Sequence, residues 1–325
     1  MYLKINEINY RKKFIIICLM NSIFFEYFFI NNSDLQISYG LSFKQKLKDY
    51  NTKNFAIFAR KGCPNCGFFS FYNVHLGCLY KYLNEGYIPI IDMVSEKNRY
   101  NKGNKFILNP WEFFFYQIQN YSLKEVKKYA KNITYKSCNP NIYRPNEKLI
   151  YYHKYSINFW HKFSENYCPI KKELIFEAKI MMKKLFGSSK NILGVKIRGT
   201  DYLRRPIGHS IPAKVEQIIP DVKVLDRKNN YDFIYLATED ETIKNKFMLE
   251  FGAKVKFLEL DKQKIFINEK IRHIVSVKNY ILTIIILSKC LDFIACRCNG
   301  SAVAFILSKG FRFSKVYNLG EYKRE

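Results

Sequence analysis

The sequence predicts an α/β protein built on parallel sheets, and three observations predict it. Short apolar runs at residues 192–197, 233–237 and 291–296 have the length and residue types of buried strands. Each run stops abruptly in charged or small polar residues. Amphipathic stretches of helical period lie between them, so strand and helix alternate, which is the order of a parallel sheet with crossover helices.

The elements follow in chain order. Residues 14–30 are apolar behind Arg11, Lys12 and Lys13, but 17 residues interrupted by Asn21 and Glu26 fall short of the roughly 20 a membrane span needs. A membrane-surface or packed helix is expected there. Residues 54–60 form a strand, followed by a loop through Cys63-Pro64-Asn65-Cys66-Gly67. A helix over 71–83 and a strand over 87–93 ending near Asp92 complete a β-loop-α-β start. The aromatic run 109–116 reads as core, with a stacking wall for a sugar as the alternative. Ser122 and Glu125 have capping-box spacing and open a helix to about residue 131. Residues 132–148 are polar, contain Pro140 and Pro145, and read as a loop. A helical stretch over 169–186 stops at Gly187 before Ser188 and Ser189, and the domain boundary is placed there.

The second half continues with helices over 213–219, closed by Pro220, and 241–251, closed by Gly252. A strand over 253–258, a helix over 275–289, the strand 291–296, a helix from Asn299 and a last strand over 314–319 follow. This divides the chain into an extension (1–50), a first α/β domain (51–187) and a second (188–325).

The 54 basic and 28 acidic residues give a formal charge of +26, spread along the chain with no single basic tail. Such a charge favours anionic partners. With 48% hydrophobic residues there is ample core, which excludes a wholly disordered chain. Nine irregularly spaced cysteines do not read as a secreted disulfide framework, so a reducing, cytoplasmic compartment is expected, with a peripheral seat on the inner membrane face as an alternative.

Ligands in open α/β sheets sit at the carboxyl edge of the strands. The run 192–197 delivers Arg198, Thr200 and Asp201 to that edge, and 233–237 delivers Thr238, Glu239 and Asp240. A guanidinium such as Arg198 can grip a phosphate through two parallel hydrogen bonds. Gly300 and Ser301 open a helix whose free N–H groups suit a phosphate, and Asp292 on the preceding strand could accept the paired donors of a guanine. His209 suits proton transfer near neutral pH. Cys63, Cys66, His75 and Cys78 form a conceivable zinc set, and strand, Cys-Pro-x-Cys, helix is also a redox-motif order. Both are minority readings.

Three ordered motifs carry a resemblance: Gly194-Val-Lys-Ile-Arg-Gly-Thr-Asp-Tyr202, Leu236-Ala-Thr-Glu-Asp240 and Asp292-Phe-Ile-Ala-Cys-Arg-Cys-Asn-Gly-Ser301. Together with Gly67-Phe-Phe-Ser70, Gly86-Tyr-Ile-Pro-Ile-Ile-Asp92 and Asn109-Pro-Trp-Glu112, they resemble the superfamily of α1,6-fucosyltransferases, nodulation fucosyltransferases and protein O-fucosyltransferases, most closely bacterial members. The resemblance covers residues 55–322. It implies a GT-B fold, two Rossmann-like domains facing across a cleft, with GDP-fucose as donor. It implies sugar transfer with inversion, without a metal or cofactor, onto a bacterial surface glycan or lipid-linked saccharide, and no nucleic-acid partner. Carried over by position, Arg198 stabilises the departing GDP, Asp292 reads the guanine and Gly300 and Ser301 bind phosphate. Asp201, His209, Glu239 and Asp240 line the donor site. The family motif opens with His and has two adjacent Arg, where this chain has Lys196 and Gly199; no carboxylate lies between Tyr202 and Gly208 to match the expected base, so Asp201 and His209 stand in. A basic nucleic-acid-binding protein and an inactive nucleotide-binding relative are the competing readings.

Overall fold

The computed structural model describes residues 43–101, 108–138, 145–199, 207–259 and 269–323. The expected helix at residues 14–30, together with Thr200 and Asp201, lies outside them. The chain divides at Lys46 into a short amino-terminal unit and a compact unit of residues 47–325. The latter holds both sheets.

The described elements are α1 (Phe43–Thr52), β1 (Asn54–Ala59), α2 (Phe68–Asn84), β2 (Ile88–Ile91), α3 (Leu123–Tyr129), β3 (Asn132–Ser137), α4 (Glu147–Tyr152), α5 (Lys154–Tyr167) and α6 (Lys172–Phe186). They continue with β4 (Ile192–Lys196), α7 (Val215–Asn229), β5 (Phe233–Ala237), α8 (Glu241–Phe251), β6 (Val255–Lys256), α9 (Glu269–Leu287), β7 (Asp292–Cys296), α10 (Asn299–Ser308) and β8 (Phe313–Tyr317). The first sheet has order β2-β1-β3 and the second β6-β5-β4-β7-β8, and every described pairing between these strands is parallel. The α/β class with two parallel sheets is therefore as expected.

Strands β4 and β7 are buried at every position, as central strands covered on both faces should be. In β4, Val195 sits opposite Leu236 on one side and Ile294 on the other. Gly194 fits tightly where the end of α9 and the turn after it cross close: a Cβ there would lie 3.1 Å from Cys290 Sγ and 3.2 Å from Leu287, so those side chains would have to give. Helix α3 starts with the capping box that the sequence shows, Ser122 Oγ accepting from Glu125 N–H and the Glu125 carboxylate from Ser122 N–H.

Three expectations need correcting. Residues 132–137 form strand β3 rather than a loop. Its exposed, polar edge position, with Tyr135 69% exposed, removes the apolar signal by which a strand is read. Helix α7 does not stop at Pro220 but runs through it to Asn229. Val215, Ile218 and Val222 bury one face across the proline, and that packing outweighs one lost backbone bond. The strand expected over 253–258 shrinks to Val255–Lys256.

The aromatic run 109–116 is core. Trp111 is fully buried, stacked on Phe115 at 4.5 Å and flanked by Phe68 and Tyr72. A sugar platform has to face solvent, so the stacking-wall alternative fails for Trp111. Four cysteines pair: Cys63 with Cys66, Cα atoms 5.4 Å apart, and Cys78 with Cys138, 6.1 Å apart. Among the described residues, no helix is long and apolar enough to cross a membrane.

Candidate functional site

The carboxyl ends of β4, β5 and β7 converge on one edge of the second sheet, because adjacent parallel strands all end there. Strand β4 places Lys196 as its last residue, and the side chain is only 2% exposed. Its ammonium lies 4.9 Å from the centre of the Tyr280 ring, a cation–π contact supplied by α9. Among the described residues no carboxylate or carbonyl bonds it. Burial acts to lower its pKa; Tyr280 and Cys298 raise it, Arg198 lowers it and Glu239 raises it, and the net result lies above the ordinary lysine value. Burial pushes the Tyr280 phenol upward as well, with Lys196 pulling against it. At neutral pH the pair is an ammonium on a neutral phenol. The ammonium is thus held charged on the ring, with no carboxylate bonded to it among the described residues, which suits it to receive an anion.

The amino end of α10 supplies the second half. Gly300 has to be glycine: a Cβ there would lie 2.1 Å from Tyr280 Oη and 3.1 Å from Lys196 Cε. The lysine stem, the tyrosine hydroxyl and the helix start therefore meet at one point. Cys298 caps the helix, its Sγ accepting from Ser301 N–H at 3.4 Å, and its carbonyl accepts from Ala302 N–H. Among the described residues the N–H groups of Asn299 and Gly300 have no partner, and they are the open donors of the first turn. Asn73 Nδ2 donates to Asn299 Oδ1 at 2.9 Å and Tyr151 Oη to the Cys298 carbonyl at 3.0 Å, so elements of the first sheet's half hold this end in place.

The other expected site residues divide clearly. Arg198 is partly buried on the same edge, close enough to Lys196 to oppose its protonation. Gly199 donates its N–H to Glu239 Oε1 at 2.9 Å. A Cβ at Gly199 would sit 2.5 Å from Asp240 Cβ, so the second arginine of the family motif has no room here. Asp240 caps α8 through Thr242 and Ile243 N–H. Glu239 is exposed and keeps one oxygen toward the edge. Ser301 is fully buried and its hydroxyl donates inward to the Cys296 carbonyl at 2.8 Å, which takes it out of ligand contact. His209 is exposed in a loop stitched to the carboxyl-terminal segment, its carbonyl accepting from Tyr322 N–H and Ser210 bridging Glu321.

Asp292 does not fit the guanine-reading role. It is the first residue of β7, at the amino end of the strand and away from the convergent edge. Its carboxylate is fully buried and accepts from Tyr231 Oη, from Arg312 Nε and Nη2 and from Phe313 N–H. Nothing is left to bind a base. The zinc set does not assemble either. Cys63 bonds Cys66, Cys78 bonds Cys138, and His75 is sealed among Phe58, Phe71 and Trp111 with both ring nitrogens unbonded.

Tyr280, Asn73 and Tyr151 escaped sequence reasoning because they reach the edge from helices far away in the chain. Cys298 carried a faint signal, a polarisable side chain three residues before a buried serine at a helix start. Arg297, in the same loop, looks like a phosphate ligand in sequence, but Glu147 and Glu321 neutralise it at 2.9 and 3.1 Å.

No family model matches the chain, and no curated protein matches it. Fifty-seven chains of known structure do. NodZ α-1,6-fucosyltransferase soaked with GDP-fucose shares 13% identity at a TM-score of 0.46, over 78% of this chain and 93% of that one. POFUT1 in complex with GDP-fucose shares 11% at 0.43, over 81% and 98%. Arabidopsis thaliana FUT1 in complex with GDP shares 7% at 0.46, over 87% and 75%. At these scores the chemistry of the site has to be argued from this chain's own residues.

Proposed function

We propose that the chain is a glycosyltransferase that holds a nucleoside-diphosphate sugar, GDP-fucose by the motif resemblance, against the carboxyl edge of the second sheet. The observation that carries this reading is Lys196: a buried ammonium with no carboxylate partner among the described residues, set on Tyr280 beside the open amides of α10. Such a site lacks only a dianion. Transfer breaks the bond between the anomeric carbon and the diphosphate, so negative charge grows on the leaving group. Lys196, Arg198 and the helix amino end are fixed where that charge develops, which lowers the barrier without reorganisation. Because the protein supplies this positive charge itself, transfer is proposed to be metal-independent.

Inversion requires a base opposite the leaving group to take the acceptor hydroxyl proton, and His209 and Asp201 are the proposed candidates. Residues 51–187 then form an acceptor side and residues 188–325 a donor side, acting on a bacterial surface glycan or lipid-linked saccharide.

Titration calorimetry with GDP, GDP-fucose and UDP-sugars tests the reading. GDP and GDP-fucose are expected to bind, and Lys196→Met to weaken them by at least about tenfold, the loss of one charge-assisted contact. The raised pKa of Lys196 means that the folded state favours its ammonium, so the variant should be somewhat less stable than the parent, and its folding is checked by thermal unfolding before binding is compared. Absence of binding by every nucleotide would remove the enzyme reading.

A further inference from the structure

A hollow of about 590 Å³ is lined, among the described residues, by Pro64, Asn65, Lys97, Asn98, Arg99 and His273. Three separate segments build it. Pro64 and Asn65 lie within the four-residue turn that the Cys63–Cys66 bond closes. His273 comes from α9, seven residues before Tyr280, which puts it on the same helix face about 10.5 Å along the axis. The hollow is thus one stop further along the helix that carries the Lys196 platform.

The third wall is the turn between β2 and the Trp111 segment, and it is held rigidly. Asn98 and Asn101 are 3% and 0% exposed. Asn101 Nδ2 donates to the carbonyls of Met93, Val94 and Glu96, and Asn98 Nδ2 to those of Met93 and Glu96. Their side-chain oxygens accept from Tyr100, Asn101 and Asn98 N–H. Tyr100 Oη donates to the Cys66 carbonyl, tying this turn to the neighbouring wall. With Asn98 and Tyr100 turned inward, the alternating Lys97 and Arg99 are driven out to solvent, into the hollow. None of the six lining residues is acidic. Among the described residues neither Lys97 nor Arg99 has a carboxylate partner. A backbone this heavily bonded is a large investment for two surface cations with nothing to bind.

We propose that the hollow is the acceptor subsite and that its ligand is an anionic saccharide, one bearing carboxylate, sulfate or phosphate groups. The placement as acceptor subsite rests on the donor-site reading above; the anion preference rests on the hollow alone. Lys97 and Arg99 are its binding residues, and the buried Asn98 and Asn101 are positioning residues.

The test is calorimetry on the full chain saturated with GDP, which blocks the donor edge, using a heparin-derived tetrasaccharide as the acidic probe and maltotetraose as the neutral one. The acidic probe is expected to bind and the neutral one not. Lys97→Ala with Arg99→Ala should weaken the acidic probe at least about tenfold, two charge-assisted contacts being lost. Arg227→Ala with Lys228→Ala, which removes the same charge from an exposed helix end, should not. GDP affinity, measured separately, should be unchanged in both. Equal weakening in the two double variants would mean general attraction to a basic protein, and no weakening in the first would mean another site; either overturns the proposal. Failure of GDP to bind the parent would instead overturn the donor reading and leave the probe result to judge the hollow.

Discussion

His75 makes this fold acid-sensitive in a way that one substitution can isolate. The ring is fully buried on α2 between Phe58, Phe71 and Trp111, with centroids at 5.8, 5.7 and 5.4 Å. Neither ring nitrogen has a hydrogen-bond partner. Burial, with a smaller contribution from Arg60, lowers its pKa from 6.5 to about 3. The folded state therefore refuses a proton that the unfolded chain accepts between those values. Stability is unaffected above 6.5 and is lost progressively as pH falls toward 3, because the unfolded state binds more protons throughout that window. The slope is about 1.4 kcal/mol per pH unit, so His75 should cost about 2 kcal/mol by about pH 5 and roughly 5 kcal/mol once the window is crossed. His75→Leu keeps an apolar side chain of similar size and abolishes the titration. Urea midpoints of parent and variant, measured at about pH 7.5 and about pH 5, should show the variant gaining about 2 kcal/mol on the parent over that interval. Carboxylates that titrate in both proteins cancel in the comparison. A difference that stays flat between the two pH values would show that the ring is not held neutral, and the account of this core would be wrong.

Two further predictions concern the second sheet. Asp292→Asn weakens the charge-assisted bonds that a fully buried carboxylate accepts from Tyr231 Oη, Arg312 and Phe313 N–H, and should lower stability by roughly 1–3 kcal/mol in urea unfolding, no more because the arginine left behind is solvated. Burial acts to raise the Asp292 pKa, but Arg312, Tyr231 and Phe313 N–H hold it below 3.8, so this stabilisation is present above that value and is lost as pH falls through the folded pKa. GDP affinity of the folded variant should be unchanged; a selective loss of guanine nucleotides would restore the base-reading role. Gly300→Ala forces a methyl group into Tyr280 Oη, and with the Tyr280 ring held by Phe69 at 4.8 Å the tyrosine must tilt away from Lys196. Nucleotide affinity should fall by at least about tenfold, while stability changes by only about 1–3 kcal/mol, the usual cost of overpacking, as read by calorimetry and thermal unfolding.

Much of this molecule could be read from residues close together in the chain. Phe233–Ala237 is the strand that its apolar run announces, Gly252 ends α8 where a left-handed glycine must, and Ser122 with Glu125 opens α3. The position of Lys196 and Arg198 at a strand end was likewise local information. Strand β3 and the continuation of α7 past Pro220 were not, because the first is an exposed edge and the second is held by a face packed on distant strands. Asp292 shows the limit most sharply. In sequence it is an acidic residue near a helix start; in space it sits at the opposite end of β7, spent on Arg312, Tyr231 and Phe313.

By itself, then, the sequence determined the alternation of strands and helices and which residues end the central strands, since backbone periodicity and chain breaks are properties of neighbours. Only the tertiary structure decided which of those groups face an open edge and which are consumed internally. Tyr280 meets Lys196 because a helix crosses the sheet, and Lys97 and His273 line one hollow because a turn and that same helix both border it. Partners separated by a hundred residues are chosen by packing, and packing leaves no mark in local sequence.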